Sequence, residues 1–463
     1  MKILFIASEC APLAKVGGLA DVIAALPKAL KKERTDVSIV IPFYTKIEAT
    51  DDFQKCADLT TEFNGQQETF ELWETQNFGV PLFLIKKDKF FGGDIYLEKD
   101  ASSGGSEKEI SRFLFLSVAG LKVAEYLDAQ ILHCHDWQTA IIPYLNKIRR
   151  GVFKTMLTIH NLGYQGIYGH EIVNRLIDTD FAETVNCLAT GILNSDLITT
   201  VSPSYAQEIL TEKDGASLEK ILAQRKNDLV GILNGIDVEE FNPESDPFLP
   251  KNYSPKNLIG KTENKKRLQE YCFKNTKPQT PVLSIISRLA AQKGLDLLKE
   301  IFDELMRENL QIILLGQGAK EYEDFFAFCA KKFPDKFFTK FLFDEKLAHQ
   351  IYAASDIFLM PSQYEPCGLG QQIAMRYGAL IVASAVGGIK DTVQNHESGD
   401  IGTGFLFKNY SAAEFLKSIK KALAAFSDKQ TWSKLQQNAM AKDFSWDNSA
   451  KKYLEQYRLL LKA

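Results

Sequence analysis

PSQYEPCGLGQQIAMRYGALIVASAVGGIKDTV, residues 361–393, places an acid, a thiol and two glycine turns among what read as helix, strand and helix starts. The run before it, DIFLMP (356–361), is a short apolar strand ending on a proline. In Glu365-Pro366-Cys367-Gly368-Leu369-Gly370 the proline and glycines hold an irregular turn before a helix can begin. A carboxylate and backbone N–H groups at such a helix start are placed to grip hydroxyls or phosphates. After the next strand, Val386-Gly387-Gly388 makes a second turn of the same kind. Two such turns at neighbouring strand ends predict a ligand crevice and not a packing seam.

Moving outward, the same scheme repeats. VLSIISR (282–288) reads as a strand, AAQKGL (290–295) as a polar glycine loop and DLLKEIFDELMREN (296–309) as an amphipathic helix. IILLGQG (312–318), FFTKFLF (337–343) and ALIVASA (379–385) supply further strands. The chain start has the same order: strand KILFIAS (2–8), a loop through Lys15-Val16-Gly17-Gly18, a helix from about 20 to 32, then strand VSIVIP (37–42). AQILHCHD (129–136), TMLTIHN (155–161) and LITTVSP (197–203) are strands with polar residues at their carboxyl ends, the side on which parallel sheets bind ligands. The region 45–110 reads as a hairpin-rich insertion, with Gly92-Gly93 and Ser102-Ser103-Gly104-Gly105 as loops, followed by a helix at about 107–126. The stretch 232–262 carries four prolines and little periodicity, which predicts a domain linker. The expected organisation is α/β: two doubly wound domains, 1–238 and 239–463, with a last helix at about 447–461 that could lie on either.

Size and charge bound the function. At 463 residues, 45% apolar and 25% charged, the composition is that of a globular protein with a large core. A formal charge of -4 gives no reason to expect nucleic acid as a partner. No stretch has the length and apolarity of a membrane span. The N-terminal MKILFIASE reads as a first strand and not as a signal peptide, because Glu9 follows the apolar run at once. Seven scattered cysteines without a C-x-x-C pair predict reduced thiols and a cytoplasmic location.

Several residues could carry chemistry. Lys15 with Gly17 and Gly18 sits in a loop feeding a helix, where backbone can approach a phosphate; the pattern is neither G-x-G-x-x-G nor a P-loop. Taken alone, it is equally a plain turn. Arg288 and Lys293 flank the matching loop in the second half and suit a diphosphate, or are solvated surface cations. His160-Asn161 and His135-Asp136-Trp137 end two strands, where a histidine is commonly a hydrogen-bonded structural residue. His133 and His135 could face one way, but without a second histidine pair a zinc site is not expected. Asp178-Thr179-Asp180 mimics the D-x-D signature of metal-dependent sugar transferases, yet no apolar strand precedes it and it reads as a cap or turn. Gly316 and Gly318 read as a strand-end turn, and Cys367 by default as a buried inert thiol.

KVGGLADV, HDWQTA, TIHNLGYQG, TTVSPSYAQEI, GILNGID, SRLAAQKGLDLL and PSQYEPCGLGQ, in this order, resemble the ADP-glucose-using glycogen synthases and starch synthases. The resemblance covers essentially the whole chain. It implies a GT-B fold, two Rossmann-like doubly wound domains facing across a deep cleft. It also implies retaining transfer of glucose from ADP-glucose to the non-reducing end of an α-1,4-glucan such as glycogen, with release of ADP. Lys15 would contact the donor, Gly17 and Gly18 would approach its phosphates, and Arg288 and Lys293 would bind the diphosphate. Glu365, Cys367, Gly368 and Leu369 would hold the donor glucose, with His160 beside it and Phe343 against the adenine. Tyr96, Asp136 and Trp137 would lie towards the acceptor. Two cations would neutralise the leaving diphosphate, so neither a metal nor a cofactor is expected.

The chain departs from the family pattern at Val16, Gln138, Leu342, Gly370 and in Val386-Gly387-Gly388-Ile389, without losing a charged group. Three rivals bear on the same residues. One is a GT-B transferase using UDP-glucose or a small phosphorylated acceptor. The others are a glucan-binding protein without turnover and a sugar-nucleotide epimerase.

Overall fold

The structure is a computed structural model, and it describes residues 1–48, 51–75, 77–97, 105–149, 151–396 and 401–462. Two compact units account for it: Met1–Gly235 together with Trp446–Ala463, and Ile236–Ser445. Short apolar runs joined by helices give each unit a parallel sheet, because such strands need cover on both faces.

In the first unit the strands are β1 (Lys2–Ile6), β2 (Asp36–Pro42), β3 (Phe53–Phe63), β4 (Gln66–Thr75), β5 (Leu82–Lys86), β6 (Ile131–His135), β7 (Lys154–Ile159), β8 (Ile167–Tyr168), β9 (Val185–Asn186), β10 (Leu197–Thr200) and β11 (Leu229–Gly231). Nine of them form one sheet in the order β11-β10-β7-β6-β1-β2-β5-β4-β3, and β8 pairs with β9 apart from it. Within the nine-stranded sheet the pairings are parallel except β3 with β4 and β4 with β5, and β8 with β9 is antiparallel as well. Asn64 and Gly65, both at positive φ, turn the β3–β4 hairpin. The expected insertion is therefore continuous with the main sheet: β5 pairs with β2, and the hairpin extends its edge. Ser102, Ser103 and Gly104, expected as a loop, lie outside the described residues.

The helix Trp446–Leu460 packs on the helix Gly18–Lys32 of this unit. Its Ser449 hydroxyl donates to the Leu233 carbonyl, and its Tyr457 hydroxyl meets His133 Nδ1 at 2.7 Å.

The second unit has β12 (Val282–Ile286), β13 (Gln311–Leu315), β14 (Phe337–Lys340), β15 (Ile357–Met360), β16 (Leu380–Ser384) and β17 (Gly404–Phe407). They form one parallel sheet in the order β14-β13-β12-β15-β16-β17. The unit starts at Ile236, whose N–H donates to the Phe444 carbonyl at 2.8 Å.

The proline-rich stretch read as a linker contains the boundary between the units, at Gly235 and Ile236, and from there on it is bound along the second unit. Its prolines prevent regular structure, and its polar groups find buried partners. Asp246, 1% exposed, accepts from the Tyr377 hydroxyl and pairs with His349 Nδ1 at 2.8 Å. Arg376 donates to the carbonyls of Phe241 and Val238. Tyr253 donates to the Tyr377 carbonyl at 2.8 Å.

Next to this strap, Lys261 buries an ammonium group that donates to the carbonyls of Ala353 (3.0 Å), Ser355 (2.7 Å) and Tyr377 (2.9 Å). These oxygens lie at the carboxyl ends of the helices Glu345–Ala354 and Gly370–Arg376, where a cation also meets the helix dipole. Burial pushes the Lys261 amine down to about 7. Replacing it with methionine keeps the stem and strands the carbonyls. Lys261→Met should cost roughly 2–4 kcal/mol of stability, read as a lower denaturant midpoint; an unchanged midpoint would refute the capping role.

Candidate active site

A parallel sheet has a switch point where the chain, having added strands on one side, crosses to the other, and loops leaving its two central strands diverge there. In the first unit that point lies between β1 and β6, and in the second between β12 and β15. Most of the site residues expected from sequence lie on the loops at these two points.

In the first unit, the loop after β1 is organised by Glu9, 3% exposed. Its Oε2 accepts the N–H groups of Val16 (2.7 Å) and Gly17 (3.0 Å), and its Oε1 accepts the Tyr96 hydroxyl (2.5 Å). Tyr96 also lies 3.1 Å from the Ser8 hydroxyl, and burial pushes its phenol well up. The Gly17 amide is thus already bound to a carboxylate of its own chain. A Cβ on Gly17 would meet nothing within 4 Å, so the fold itself does not demand glycine there. Lys15 pairs with Asp21 at 2.6 Å, both partly exposed.

On the adjacent strand, His135 ends β6 and Asp136 follows at φ 52, a left-handed conformation unusual outside glycine. That backbone turns the Asp136 carboxylate onto the loop after β7: Oδ1 accepts the N–H of His160 at 2.7 Å and of Asn161 at 3.3 Å. Burial pushes the Asp136 carboxyl up to about 7, against the pull of these two donors. Trp137 is 2% exposed, its ring edge-on to Phe113 and stacked so closely over Gly166 that a Cβ there would sit 2.3 Å away. Its ring is packed between Phe113 and Gly166.

The three histidines share this region. His133 is satisfied on both nitrogens, by Thr158 at 2.6 Å and Tyr457 at 2.7 Å. His135 Nδ1 and His160 Nε2 lie 3.0 Å apart. Desolvation holds all three neutral, His160 pushed down to about 3 and the other two well below the ordinary range.

In the second unit the loops after β12 and β15 lock together. Gln363 N–H donates to the Gln292 carbonyl at 2.9 Å, and Gln292 Nε2 to the Tyr364 carbonyl at 3.2 Å. Gly294, at φ 68, is so close that a Cβ would fall 1.8 Å from the Pro361 carbonyl oxygen. This lock brings Lys293 Nζ to 2.6 Å from Glu365 Oε2, which also accepts from the Ser362 hydroxyl at 3.1 Å. Arg288 is exposed and forms no ion pair among the described residues. Phe343 lies past the end of β14, 75% exposed, its face open for stacking.

Cys367 is 6% exposed, with Gln372 Nε2 3.6 Å from its sulfur. Gly368 has φ 72 and Leu369 caps the short helix Gly370–Arg376. A Cβ on Gly370 would lie 3.3 Å from the Phe358 ring, so the aromatic fits the missing side chain.

The two glycine turns at 365–370 and 386–388 were expected to leave a crevice between them. At Gly388 they meet instead: its N–H donates to the Glu365 carbonyl at 3.0 Å, and a Cβ would stand 2.1 Å from the Cys367 carbonyl oxygen. Gly388 is glycine for packing. Asp178 proves to be a left-handed helix cap at φ 52. Among the described residues, Glu240, Glu345 and His349 form a group of possible metal ligands, none of them on the loops described above.

Sequence reasoning gave no part to Glu9, Asp21 and Ser362, and took His135 only as a strand-end histidine. Of these only Glu9 carried a local signal, an acid directly after an apolar strand.

Comparison with known proteins matches residues 2–224 to the starch synthase catalytic domain and 269–440 to glycosyl transferases group 1. A glycogen synthase from Clostridium novyi is 41% identical over 484 residues, covering 100% of this chain and 99% of its own. One from Thermotoga petrophila is 41% identical with the same coverage. Among solved structures, the catalytic domain of starch synthase IV from Arabidopsis thaliana, bound to ADP and acarbose, matches with TM-score 0.91 at 32% identity, covering 100% of this chain and 99% of that one. The sucrose-phosphate synthase of Thermosynechococcus elongatus, at 18% identity and TM-score 0.66, shares the fold.

Two outcomes are expected from this geometry. Gly388→Ala should leave a folded protein but push the Glu365–Cys367 turn out of place, lowering turnover roughly 10²-fold; full activity would show that the turn tolerates displacement. Acid should destabilise the first unit. Below about pH 6.5 the unfolded chain takes up protons that His133, His135 and His160 refuse when folded, so stability falls by up to ~1.4 kcal/mol per pH unit for each ring. Asp136, protonated more readily when folded, offsets one of them. Denaturant midpoints at pH 7.5 and 5.5 test the sign, and a rise on acidification would contradict it.

Proposed function

The chain belongs to the glycogen synthase and starch synthase family, and from that membership we infer that it is a glucosyltransferase of GT-B fold that elongates α-1,4-glucan. Glucose moves from ADP-glucose to the non-reducing end with retained configuration, and ADP leaves. The observation that carries this reading is similarity to glycogen synthases along the entire chain. Reduced, unpaired cysteines fit a cytoplasmic enzyme, and no helix among the described residues is long and apolar enough to cross a membrane.

The site residues take the following parts in this reading. Arg288 and Lys293 neutralise the negative charge that grows on the departing diphosphate as the glycosidic bond lengthens. Phe343 offers its exposed face to the adenine. Lys293 is already bound to Glu365, so a diphosphate joins an existing ion pair and finds the cation fixed in place. Glu365 orients the glucose hydroxyls and balances positive charge developing at the anomeric carbon, with the backbone from Cys367 to Leu369 completing the cradle. It is not assigned as a covalent nucleophile. The leaving phosphate takes the proton of the acceptor 4-hydroxyl on the same face. In the first unit Lys15 meets the donor, and His160, neutral, hydrogen-bonds the glucose. Tyr96 and Asp136 act through Glu9 and the His160 loop, on the acceptor side.

The test is ADP release from ADP-glucose with and without glycogen. Release should require glycogen and fall roughly 10²–10³-fold in Glu365→Ala. Release indifferent to glycogen would defeat the reading, and turnover of UDP-glucose alone would overturn the donor assignment while leaving the fold untouched.

A further inference from the structure

His160 is held at two places by two consecutive residues at the end of β6. Asp136 fixes its backbone, as described, and His135 fixes its ring through the 3.0 Å contact between Nδ1 of His135 and Nε2 of His160. The His135 ring cannot follow a wandering partner. It is fully buried, stacked on Phe5 with centroids 5.4 Å apart and against His133 at 4.2 Å.

Neutral imidazole carries one N–H and one bare nitrogen. A hydrogen bond between Nδ1 of one ring and Nε2 of the other needs one of each, and this ties the two tautomers together. If His135 donates, its proton is on Nδ1, and His160, accepting on Nε2, carries its own on Nδ1. If His160 donates from Nε2, His135 accepts on Nδ1 and must hold its proton on Nε2. The two rings therefore carry their protons on the same-named nitrogen. His135 Nε2 is buried and has no hydrogen-bond partner among the described residues, so no outside group relieves this coupling.

We propose that His135 is a positioning residue for the glucosyl transfer: it fixes the ring orientation of His160 and decides whether His160 Nδ1 meets the sugar as a donor or an acceptor. This rests on the reading of His160 as a residue that touches the donor glucose. A neighbouring nitrogen free to change tautomer would present the sugar with the wrong partner part of the time, and a free ring would leave the site altogether.

The experiment measures glycogen-dependent ADP release for His135→Leu, His135→Asn, His160→Ala and the pair His135→Leu/His160→Ala, together with nitrogen-15 spectra of the imidazoles. His135→Leu should lower kcat about 10-fold or more, with the glycogen KM changed less than about twofold. His135→Asn, whose amide can donate or accept near the old Nδ1, should recover most of that loss. In the His160→Ala background, His135→Leu should cost nothing further. A wild-type rate for His135→Leu, or an equal loss in both backgrounds, would overturn the proposal. If His160→Ala is inactive while His135→Leu is normal, only this inference fails; if His160→Ala is fully active, the reading of His160 fails with it. Where His135→Leu does not fold, the spectra of the unmutated protein decide. Both rings in the same tautomer, or in equal proportions of the two, support the coupling, and opposite tautomers or unequal proportions refute it.

Discussion

A carboxylate taken out of water has to collect donors, and those donors then have nowhere else to be. Each unit uses this constraint at its switch point, and again at Asp136 and Asp246. Glu9 gathers two backbone amides and a phenol, so the shape of the loop carrying Lys15 is set by a side chain at the end of β1. Glu365 gathers an ammonium and a hydroxyl, so two loops from different strands share one position. In both cases the loop is shaped before any ligand arrives. Losing either acid would leave its loop to the remaining backbone contacts, such as Ala11 N–H to the Ala20 carbonyl in one and Gln363 N–H to the Gln292 carbonyl in the other.

The alternation of apolar strand, glycine loop and helix made both sheets legible, since burial on two faces writes itself as unbroken Val/Ile/Leu runs. Lys15, Arg288, Lys293, His160 and Glu365 were legible too, as charged or polar residues at the carboxyl ends of such strands. What escaped were residues that act on other residues. Nothing in the spacing of Glu9 and Tyr96, 87 positions apart, announces their hydrogen bond. His135 read as one more strand-end histidine because its partner lies 25 positions away on the adjacent strand. The proline-rich stretch after residue 232 holds the boundary between the units, but its packing was hidden for a different reason. Its sequence lacks periodicity, and the side chains that bind it, Arg376, His349 and Lys261's neighbours, come from much later in the chain.

Glycines divide in the same way. Gly294 and Gly388 have a backbone oxygen where a side chain would begin, so the fold alone accounts for them. Gly17 has open space, and it stands at the N-cap of the Gly18–Lys32 helix, a position that suits glycine without any packing demand. In sequence the three are indistinguishable.

The helix Trp446–Leu460 has a consequence for how the chain comes into being. Its Tyr457 closes the hydrogen-bond chain that runs through His133 and Thr158 to Thr199, across β6, β7 and β10. During synthesis the first unit emerges early yet must wait for the entire second unit to follow before that chain can close. Until then a buried histidine and the face of the Gly18–Lys32 helix stay uncovered on the nascent protein. The unit whose strands are made first is therefore finished only after the second, and a chain that stops short of the 15-residue helix Trp446–Leu460 has every strand of the second sheet while His133 of the first lacks Tyr457.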